Sequence, residues 1–179
     1  EGGTLADVDD SSVVTFTFSE APGDSFSNDD ITVVGGELST VTVDPDNPLV
    51  YTATFTADQD FTGEGSVTVN ADSYTDVVLN LGETGSDTVA IDTENPTVVS
   101  VEMDDVALKI GDTSAVTITF SEAVTNFDSS VDVMVENGAL SSMMSGDGGV
   151  TWTGTFTPDA PIEDPTNVVT VATTYTDVA

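Results

Sequence analysis

Near its beginning the chain reads Ser11-Ser-Val-Val-Thr-Phe-Thr-Phe-Ser-Glu-Ala21, and almost the same sequence returns as Thr113-Ser-Ala-Val-Thr-Ile-Thr-Phe-Ser-Glu-Ala123. The shift from Ser19 to Ser121 is 121 minus 19, or 102 residues. A period near 100 is too long for a solenoid repeat of about 20–50 residues, but it fits a whole domain. The sequence therefore predicts two copies of one module, residues 1–93 and 94–179. Further matches are Gly35–Ser39 with Asn137–Ser141 at a shift of 102, and Tyr51–Thr56 with Trp152–Thr157 and Ser73–Asp76 with Thr174–Asp177 at a shift of 101.

Apolar residues follow a period of two within the repeated segments. Val14, Phe16 and Phe18 alternate with Thr and Ser, which is typical of antiparallel strands with one buried face and one wet face. Turn-forming residues separate these strands, so an all-β fold is predicted, with a β-sandwich of about seven strands per full module. One aromatic residue per module, Tyr51 or Trp152, is expected to fill the core. The same alternation predicts strands at Val116–Phe120, Tyr51–Phe55, Trp152–Phe156, Val131–Val135, Val67–Val69 and Val169–Val171.

The module boundary is expected within Ile91–Val98. A strand ends near Ile91, Pro96 interrupts it, and Val98, Val99 and Val101 begin the next module. Residues equivalent to 94–103 would precede residue 1, and residues equivalent to 77–91 would follow Ala179. Each end is thus expected to lack one terminal strand. Two explanations stay open: the sequence is trimmed, or neighbouring chains complete the sheets.

The charge balance excludes several classes of partner. Asp and Glu number 33 against one basic residue, Lys109, which gives a net charge of −32. Nucleic acid and anionic membrane surfaces both need basic residues, so neither is expected to bind. The chain has no Cys and no His, which removes disulfides, zinc sites and Ser-His-Asp catalysis. Self-repulsion at this charge calls for high salt or bound divalent cations.

Four short motifs resemble the bacterial Ig-like repeats that fill the extender regions of giant secreted RTX-type adhesins. They are Phe-Ser-Glu-Ala at 18–21 and 120–123, Tyr-Thr-Asp-Val at 74–77 and 175–178, Trp-Thr-Gly-Thr-Phe-Thr-Pro at 152–158, and Ile-Asp-Thr-Glu-Asn-Pro at 91–96. The resemblance implies two Ig-like sandwiches in an extracellular stalk at a bacterial cell surface, rigidified by Ca²⁺ at module junctions. Module one departs from the family pattern, because Val77-Val-Leu-Asn80 replaces the usual Gly-Asn after Tyr-Thr-Asp.

Strand direction in a sandwich predicts where Ca²⁺ would bind. The second and sixth strands of a module end at the same pole, and the last strand of module one leads into the next module at that pole. Carboxylate and amide oxygens from three segments are therefore expected to meet at the junction, and such oxygens are the ligands Ca²⁺ prefers. The predicted ligands are Asp92, Glu94, Asn95, Glu122 and Asp177, with Asp104 as a weaker candidate.

Other acidic groups are less specific. Glu20 and Asp76 occupy the equivalent pole of module one, and Asp7, Asp9 and Asp10 form a dense triplet that serves as a ligand loop or, more simply, as a salt-adapted turn. All of these acids could also be solvated surface residues. Asp44 with Asp46 and Asp58 with Asp60 are interpreted as turn formers.

The function expected from these observations is a non-enzymatic structural extender of a cell-surface or biofilm adhesin. Its partners are neighbouring modules of the same chain or identical subunits, without a small-molecule substrate or membrane insertion. One alternative is a subunit of a self-assembling filament completed by β-strand donation. Another is a carbohydrate-binding module, and a third reading treats the acidity as adaptation to salt alone.

Overall fold

The computed structural model describes residues 4–7, 9–164 and 167–179. The chain forms two compact units, of which the first ends at Glu94 and the second is Asn95–Val178. This division lies one residue beyond the boundary expected after residue 93. Among the described residues, no helix has both the length and the apolar character needed to cross a bilayer.

The first unit is an antiparallel β-sandwich of seven strands. One sheet has the order β1-β5-β3, with β4 also paired to β5, and the other has the order β2-β6-β7. Phe16 and Phe55 from the first sheet pack with Val67 and Ile91 from the second, so the core lies between the sheets. The strands are β1 Ser11–Thr17, β2 Ile31–Val34, β3 Gly36–Leu38, β4 Thr42–Asp44, β5 Asn47–Ala57, β6 Thr62–Val69 and β7 Gly85–Asp92.

The second unit repeats this plan with shorter strands. Its larger sheet has the order β12-β14-β9-β8, with β13 also paired to β14. The pairs β11-β15 and β10-β16 form two further sheets of two strands each. Val116, Ile118 and Phe120 of β9 are each at most 1% exposed. The strands are β8 Val98–Met103, β9 Ser114–Phe120, β10 Val124–Thr125, β11 Val133–Val135, β12 Gly138–Leu140, β13 Met144–Ser145, β14 Thr151–Pro158, β15 Val169–Val171 and β16 Thr176–Asp177.

The repeated Gly35-Gly36 and Asn137-Gly138 pairs have a steric reason. The first residue of each pair has a positive φ, 73° at Gly35 and 56° at Asn137, which Gly and Asn tolerate better than other residues. At the second position a Cβ would collide with an aromatic ring, Phe55 at Gly36 and Phe156 at Gly138. This close approach lets β3 and β12 pair with the long central strands β5 and β14.

An aromatic cluster fills the core of each unit, so the expectation of one aromatic plug per module is wrong. Tyr51 is buried, but Phe18 and Phe26 pack edge to face with it at centroid distances of 5.7 and 5.4 Å. Trp152 is only half-buried and contacts Phe127 at 4.9 Å. Edge-to-face pairs at such distances add stability beyond area burial.

The strand predicted at Val131–Val135 is partly wrong. A single helical turn, α1 Ser129–Asp132, precedes β11, so Val131 is 68% exposed while Asp132 is 2% exposed. Asp132 Oδ2 accepts from the Asp128 N–H at 2.7 Å, and Asp132 Oδ1 accepts from the Thr174 hydroxyl. These bonds compensate for burying the carboxylate.

Unit one contains the same device with one residue fewer. Asp30, 6% exposed, accepts from the Ser27 N–H at 2.8 Å and closes a 3₁₀ turn, Asn28–Asp30. In unit two the extra residue widens the turn so that the Asp132 N–H bonds the Asp128 carbonyl four residues back. A buried aspartate thus directly precedes β2 in unit one and β11 in unit two.

We predict that Asp132→Asn lowers the free energy of unfolding of unit two by about 1–3 kcal/mol, because a buried acceptor is replaced and its donors lose a charged partner. Trp152 fluorescence during denaturant unfolding measures this, since Trp152 is the one tryptophan of the chain and packs against that core. Asp159→Asn at an exposed position is the control with the same charge change. Equal effects of the two substitutions would show that the buried Asp132 carboxylate does not stabilise unit two.

Candidate functional site

Glu20 and Asp76 come together in unit one, as expected from their positions at strand ends. Glu20 follows β1, and Asp76 lies in the loop between β6 and β7. Both line one open cleft. The pKa of Asp76 is lowered chiefly by the Asn80 side-chain amide, then by the Asn80 backbone N–H, with smaller contributions from the Val78 N–H and the Glu20 carboxyl.

The Asp76 carboxylate accepts hydrogen bonds mainly from residues of its own loop. Its Oδ1 accepts from the backbone N–H groups of Val78 and Asn80 at 2.8 and 2.9 Å, and its Oδ2 accepts from the Asn80 amide at 2.7 Å. A carboxylate oxygen has two lone pairs, so Oδ1 is filled, and the Glu20 carboxyl is a further hydrogen-bond partner of this carboxylate. The Val77–Asn80 segment, which departs from the family pattern, is therefore a tight turn organised by Asp76.

Asp92 and Glu94 form a second pair at the end of unit one. The Thr62 hydroxyl lies 3.0 Å from Asp92 Oδ1 and 3.3 Å from Glu94 Oε2. One hydroxyl has a single proton, so it cannot satisfy both carboxylates at once. Asp92 is half-buried and Glu94 is exposed. The two acids thus share a donor and leave acceptor sites open toward solvent.

Glu122 and Asp177 lie near each other in unit two, at the positions that correspond to Glu20 and Asp76 of unit one. Asp177 lies opposite Val124 in the β10–β16 ladder, two residues beyond Glu122, and both acids are half-buried. Ser121 binds the connector: its N–H donates to the Thr97 carbonyl at 2.8 Å and its hydroxyl accepts from the Thr97 N–H at 2.9 Å. Thr97, near the start of unit two, is therefore hydrogen-bonded to Ser121, the residue that precedes Glu122.

The remaining candidates are exposed or serve turns. Asn95 and Asp104 are exposed, and Asp104 follows β8 with its N–H bonded to the Ala115 carbonyl at 3.1 Å. Asp46 donates its N–H to Asp44 Oδ1 at 2.8 Å, as a turn former does.

Of the N-terminal triplet, Asp7 and Asp9 are exposed, and Asp10 is half-buried. Asp9 exchanges two backbone hydrogen bonds with Ala6, at 2.9 and 3.2 Å.

Carboxylates therefore stand in pairs. Within residues 4–7, 9–164 and 167–179, no group of three or more acidic side chains is arranged to hold a metal ion. The pairs are Glu20 with Asp76, Asp92 with Glu94, and Glu122 with Asp177. Each pair supplies up to four oxygens, so a six- to eight-oxygen Ca²⁺ shell would need water, carbonyl groups or a second pair.

Two acids that the sequence reasoning missed organise turns in unit two. The pKa of Asp147 is lowered from 3.8 to about 2, first by the Thr151 N–H at 2.9 Å and then by the Ser145 hydroxyl at 2.8 Å. The pKa of Asp128 is lowered by the hydroxyl and then the N–H of Ser130. The sequence Gly146-Asp-Gly-Gly149 is typical of a turn and contains one acid, so this signal could have identified Asp147.

These shifts give the pH dependence a definite sign. A lowered pKa in the folded state stabilises the fold above the unfolded pKa, and this stability is lost as pH falls through the folded value. For Asp147 the loss runs from about pH 4 to about pH 2. Between pH 7 and about pH 4, by contrast, acid protonates part of the 33 carboxylates, whose ordinary pKa lies near 4, and so reduces the net charge of −32 and relieves repulsion.

We predict that at low ionic strength in EDTA the melting temperature rises from pH 7 to about pH 4 and falls below it. In about 1 M NaCl, where the Debye length is about 3 Å, the rise disappears and the fall remains, because short hydrogen bonds are little screened. Differential scanning calorimetry measures both curves. A melting temperature that falls steadily from pH 7 in low salt would contradict the repulsion argument.

The loop held by Asp76 carries a strained residue. Leu79 has φ 70° and is 79% exposed, and this left-handed conformation costs a non-glycine residue about 1–2 kcal/mol. We predict that Leu79→Asn stabilises unit one by about 1 kcal/mol, since Asn tolerates that conformation. Calorimetry should show no such gain for Val78→Asn, an equally exposed apolar position without a positive φ.

Comparison with known proteins places both units in one family. The family model described as bacterial Ig-like domain matches residues 2–91 and 92–179. No curated protein sequence matches the chain. A solved endo-fucoidan hydrolase from glycoside hydrolase family 107 is similar over 94% of this chain and 26% of that one, with 10% identity and a TM-score of 0.29. The chain spans about a quarter of that enzyme, and so weak a likeness carries no argument. The two family matches cover almost every residue, and the chain belongs to the bacterial Ig-like domain family as two tandem copies.

Proposed function

We propose that the chain is a spacer in the extender region of a bacterial cell-surface or biofilm adhesin, and that Ca²⁺ stiffens its connector outside the cell. Domains of this family are typically non-catalytic and often extracellular, and two of them follow each other here. The observation that carries the proposal is the short connector. Strand β7 ends at Asp92 and β8 begins at Val98, so only five residues separate the two sandwiches.

The paired carboxylates support a role for a divalent cation. Asp92 and Glu94 begin the connector and share one hydroxyl, and unit two hydrogen-bonds the other end of the connector next to Glu122. With 33 acids and one base in the chain, protein cations cannot offset this charge. We expect one Ca²⁺ to bind both the Asp92–Glu94 pair and the Glu122–Asp177 pair, with the side-chain amide oxygen of Asn95 as a further ligand.

The alternative of a carbohydrate-binding module has less support. Sugar binding generally uses exposed aromatic rings, but all 12 aromatic residues, eight Phe, three Tyr and one Trp, are buried or half-buried. The filament alternative has a specific observation in its favour: among the described residues of unit one, no strand pairs with the outer edge of β1.

We predict that about 1 mM Ca²⁺ raises the free energy of unfolding by about 0.4–1.4 kcal/mol, since extracellular modules bind Ca²⁺ with Kd of about 10⁻⁴–10⁻³ M. NaCl of equal ionic strength should give a smaller effect. Glu122→Gln should remove most of the Ca²⁺-specific part, as measured by calorimetric titration and melting.

Asp46→Asn is the matched control, because Asp46 is exposed and lies in the turn before β5, at the opposite end of that strand from Asp58, whose carbonyl accepts from the Thr93 hydroxyl. Equal Ca²⁺ responses of Glu122→Gln and Asp46→Asn would show that Ca²⁺ acts only by general screening.

A further inference from the structure

Strand β9 of unit two has a partner on each edge. Strand β14 pairs with one edge, and β8 pairs antiparallel with the other. At the two ends of the β8 ladder, the Ala115 carbonyl accepts from the Asp104 N–H at 3.1 Å and the Ser121 N–H donates to the Thr97 carbonyl at 2.8 Å. β8 therefore uses the outward backbone groups of the odd-numbered residues of β9.

Strand β1, the equivalent of β9, has a partner on one edge only. It pairs with β5, and in the described part of the chain no strand pairs with its other edge. The Phe18 N–H bonds the Leu49 carbonyl and the Asp10 carbonyl accepts from Ala57, so even-numbered residues face β5. Because antiparallel strands alternate their hydrogen bonds, the odd-numbered residues face outward. These residues are Val13, Thr15, Thr17 and Ser19.

The repeat distance places these outward groups in register with the edge that β8 covers. Subtracting 102 from Ala115 and Ser121 gives Val13 and Ser19. The Val13 carbonyl and the Ser19 N–H thus correspond to the two groups that β8 binds at its ends. The Ser19 hydroxyl corresponds to that of Ser121, which accepts from the Thr97 N–H at 2.9 Å.

The apolar face behind this edge is also incompletely covered. Phe16 is 8% exposed where Ile118 is 0%, and Phe18 is half-buried where Phe120 is 1% exposed. An open cleft of about 660 Å³ runs along the strand and is lined by residues 14–20, Val67, Val69, Tyr74, Asp76 and residues 80–87. Unit one therefore leaves open both the hydrogen-bonding edge and the groove that a strand such as β8 would fill.

We propose that the open edge of β1 binds an extended segment with the residue pattern of Val98–Met103, antiparallel to β1. In unit two, Val98 and Met103 pack against the core from this strand, so the segment needs apolar residues at those two positions. In this chain the β8 segment follows the last strand of one module and completes the sheet of the next. The donor that fits is therefore the connector of a neighbouring copy of the module. The inference needs only the fold of unit one and is independent of Ca²⁺ and of the adhesin role.

The donor strand itself adds little charge at the contact, because the segment Val98–Met103 contains a single acid, Glu102. The copies that carry donor and acceptor still repel each other, since the net charge of each chain is −32. Salt that screens this repulsion is therefore expected to strengthen the contact.

The test uses the whole chain with a labelled synthetic peptide of residues 95–104, in EDTA and about 0.5 M NaCl to screen repulsion. We expect saturable one-to-one binding by fluorescence anisotropy, with the backbone amides of Thr15, Thr17 and Ser19 becoming protected from hydrogen exchange. A peptide with Val98→Asp and Met103→Asp should not bind. EDTA keeps the outcome separate from the Ca²⁺ proposal.

Two variants locate the binding edge. Thr15→Pro removes only an outward N–H, which edge strands tolerate, so it should abolish binding while leaving the melting temperature of unit one nearly unchanged. The equivalent Thr117→Pro should destabilise unit two, because Thr117 lies opposite Glu102 of β8. Ser19→Ala, which leaves the backbone intact, should weaken binding about fivefold through one lost hydrogen bond.

Three results would overturn the proposal. The first is no binding at about 1 mM peptide, and the second is equal binding by the unmodified chain and by a Thr15→Pro variant that melts normally. The third is a dimer through β1 that the peptide does not dissociate.

Discussion

Electrostatic self-repulsion is the constraint on which the rest of this molecule depends. The chain has 33 acidic residues and one basic residue, and each of its two sandwiches has only a small core. Domains of this size are marginally stable, so the charge must stay on outer faces and in turns. The two buried acids, Asp30 and Asp132, each accept a backbone hydrogen bond. Whatever screens the remaining carboxylates, salt or bound cations, therefore contributes to stability.

The repeat and the period of two predicted most of the fold. They located β1, β5, β9 and β14 because these strands bury one face, and burial imposes the alternation that the sequence displays. They failed at Val131, since one helical turn is too short to show a period of its own. They also missed the aromatic clusters, because Phe26 and Phe127 lie in loops outside any alternating run.

The candidate site was predictable in pairs but not as a whole. Strand ends determine that Glu20 lies near Asp76 and that Glu122 lies near Asp177, and the sequence shows where strands end. The hydrogen bonds that occupy Asp76 were hidden, because they depend on how Val77–Asn80 folds back. Whether the Asp92–Glu94 pair and the Glu122–Asp177 pair bind one Ca²⁺ depends on the conformation of the five connector residues. A segment of five residues is too short for its sequence pattern to predict that conformation.

If Ca²⁺ stiffens this connector, it narrows the distribution of distances between the two sandwiches, and this distribution can be measured. The chain contains no Cys, so Thr54→Cys and Thr155→Cys place two spin labels on exposed positions of the central strands β5 and β14. Pulsed electron paramagnetic resonance then reports the spread of distances between the labels. We expect a narrow distribution in Ca²⁺ and a broad one in EDTA at equal ionic strength. Distributions of the same width in both conditions would show that Ca²⁺ does not stiffen the connector.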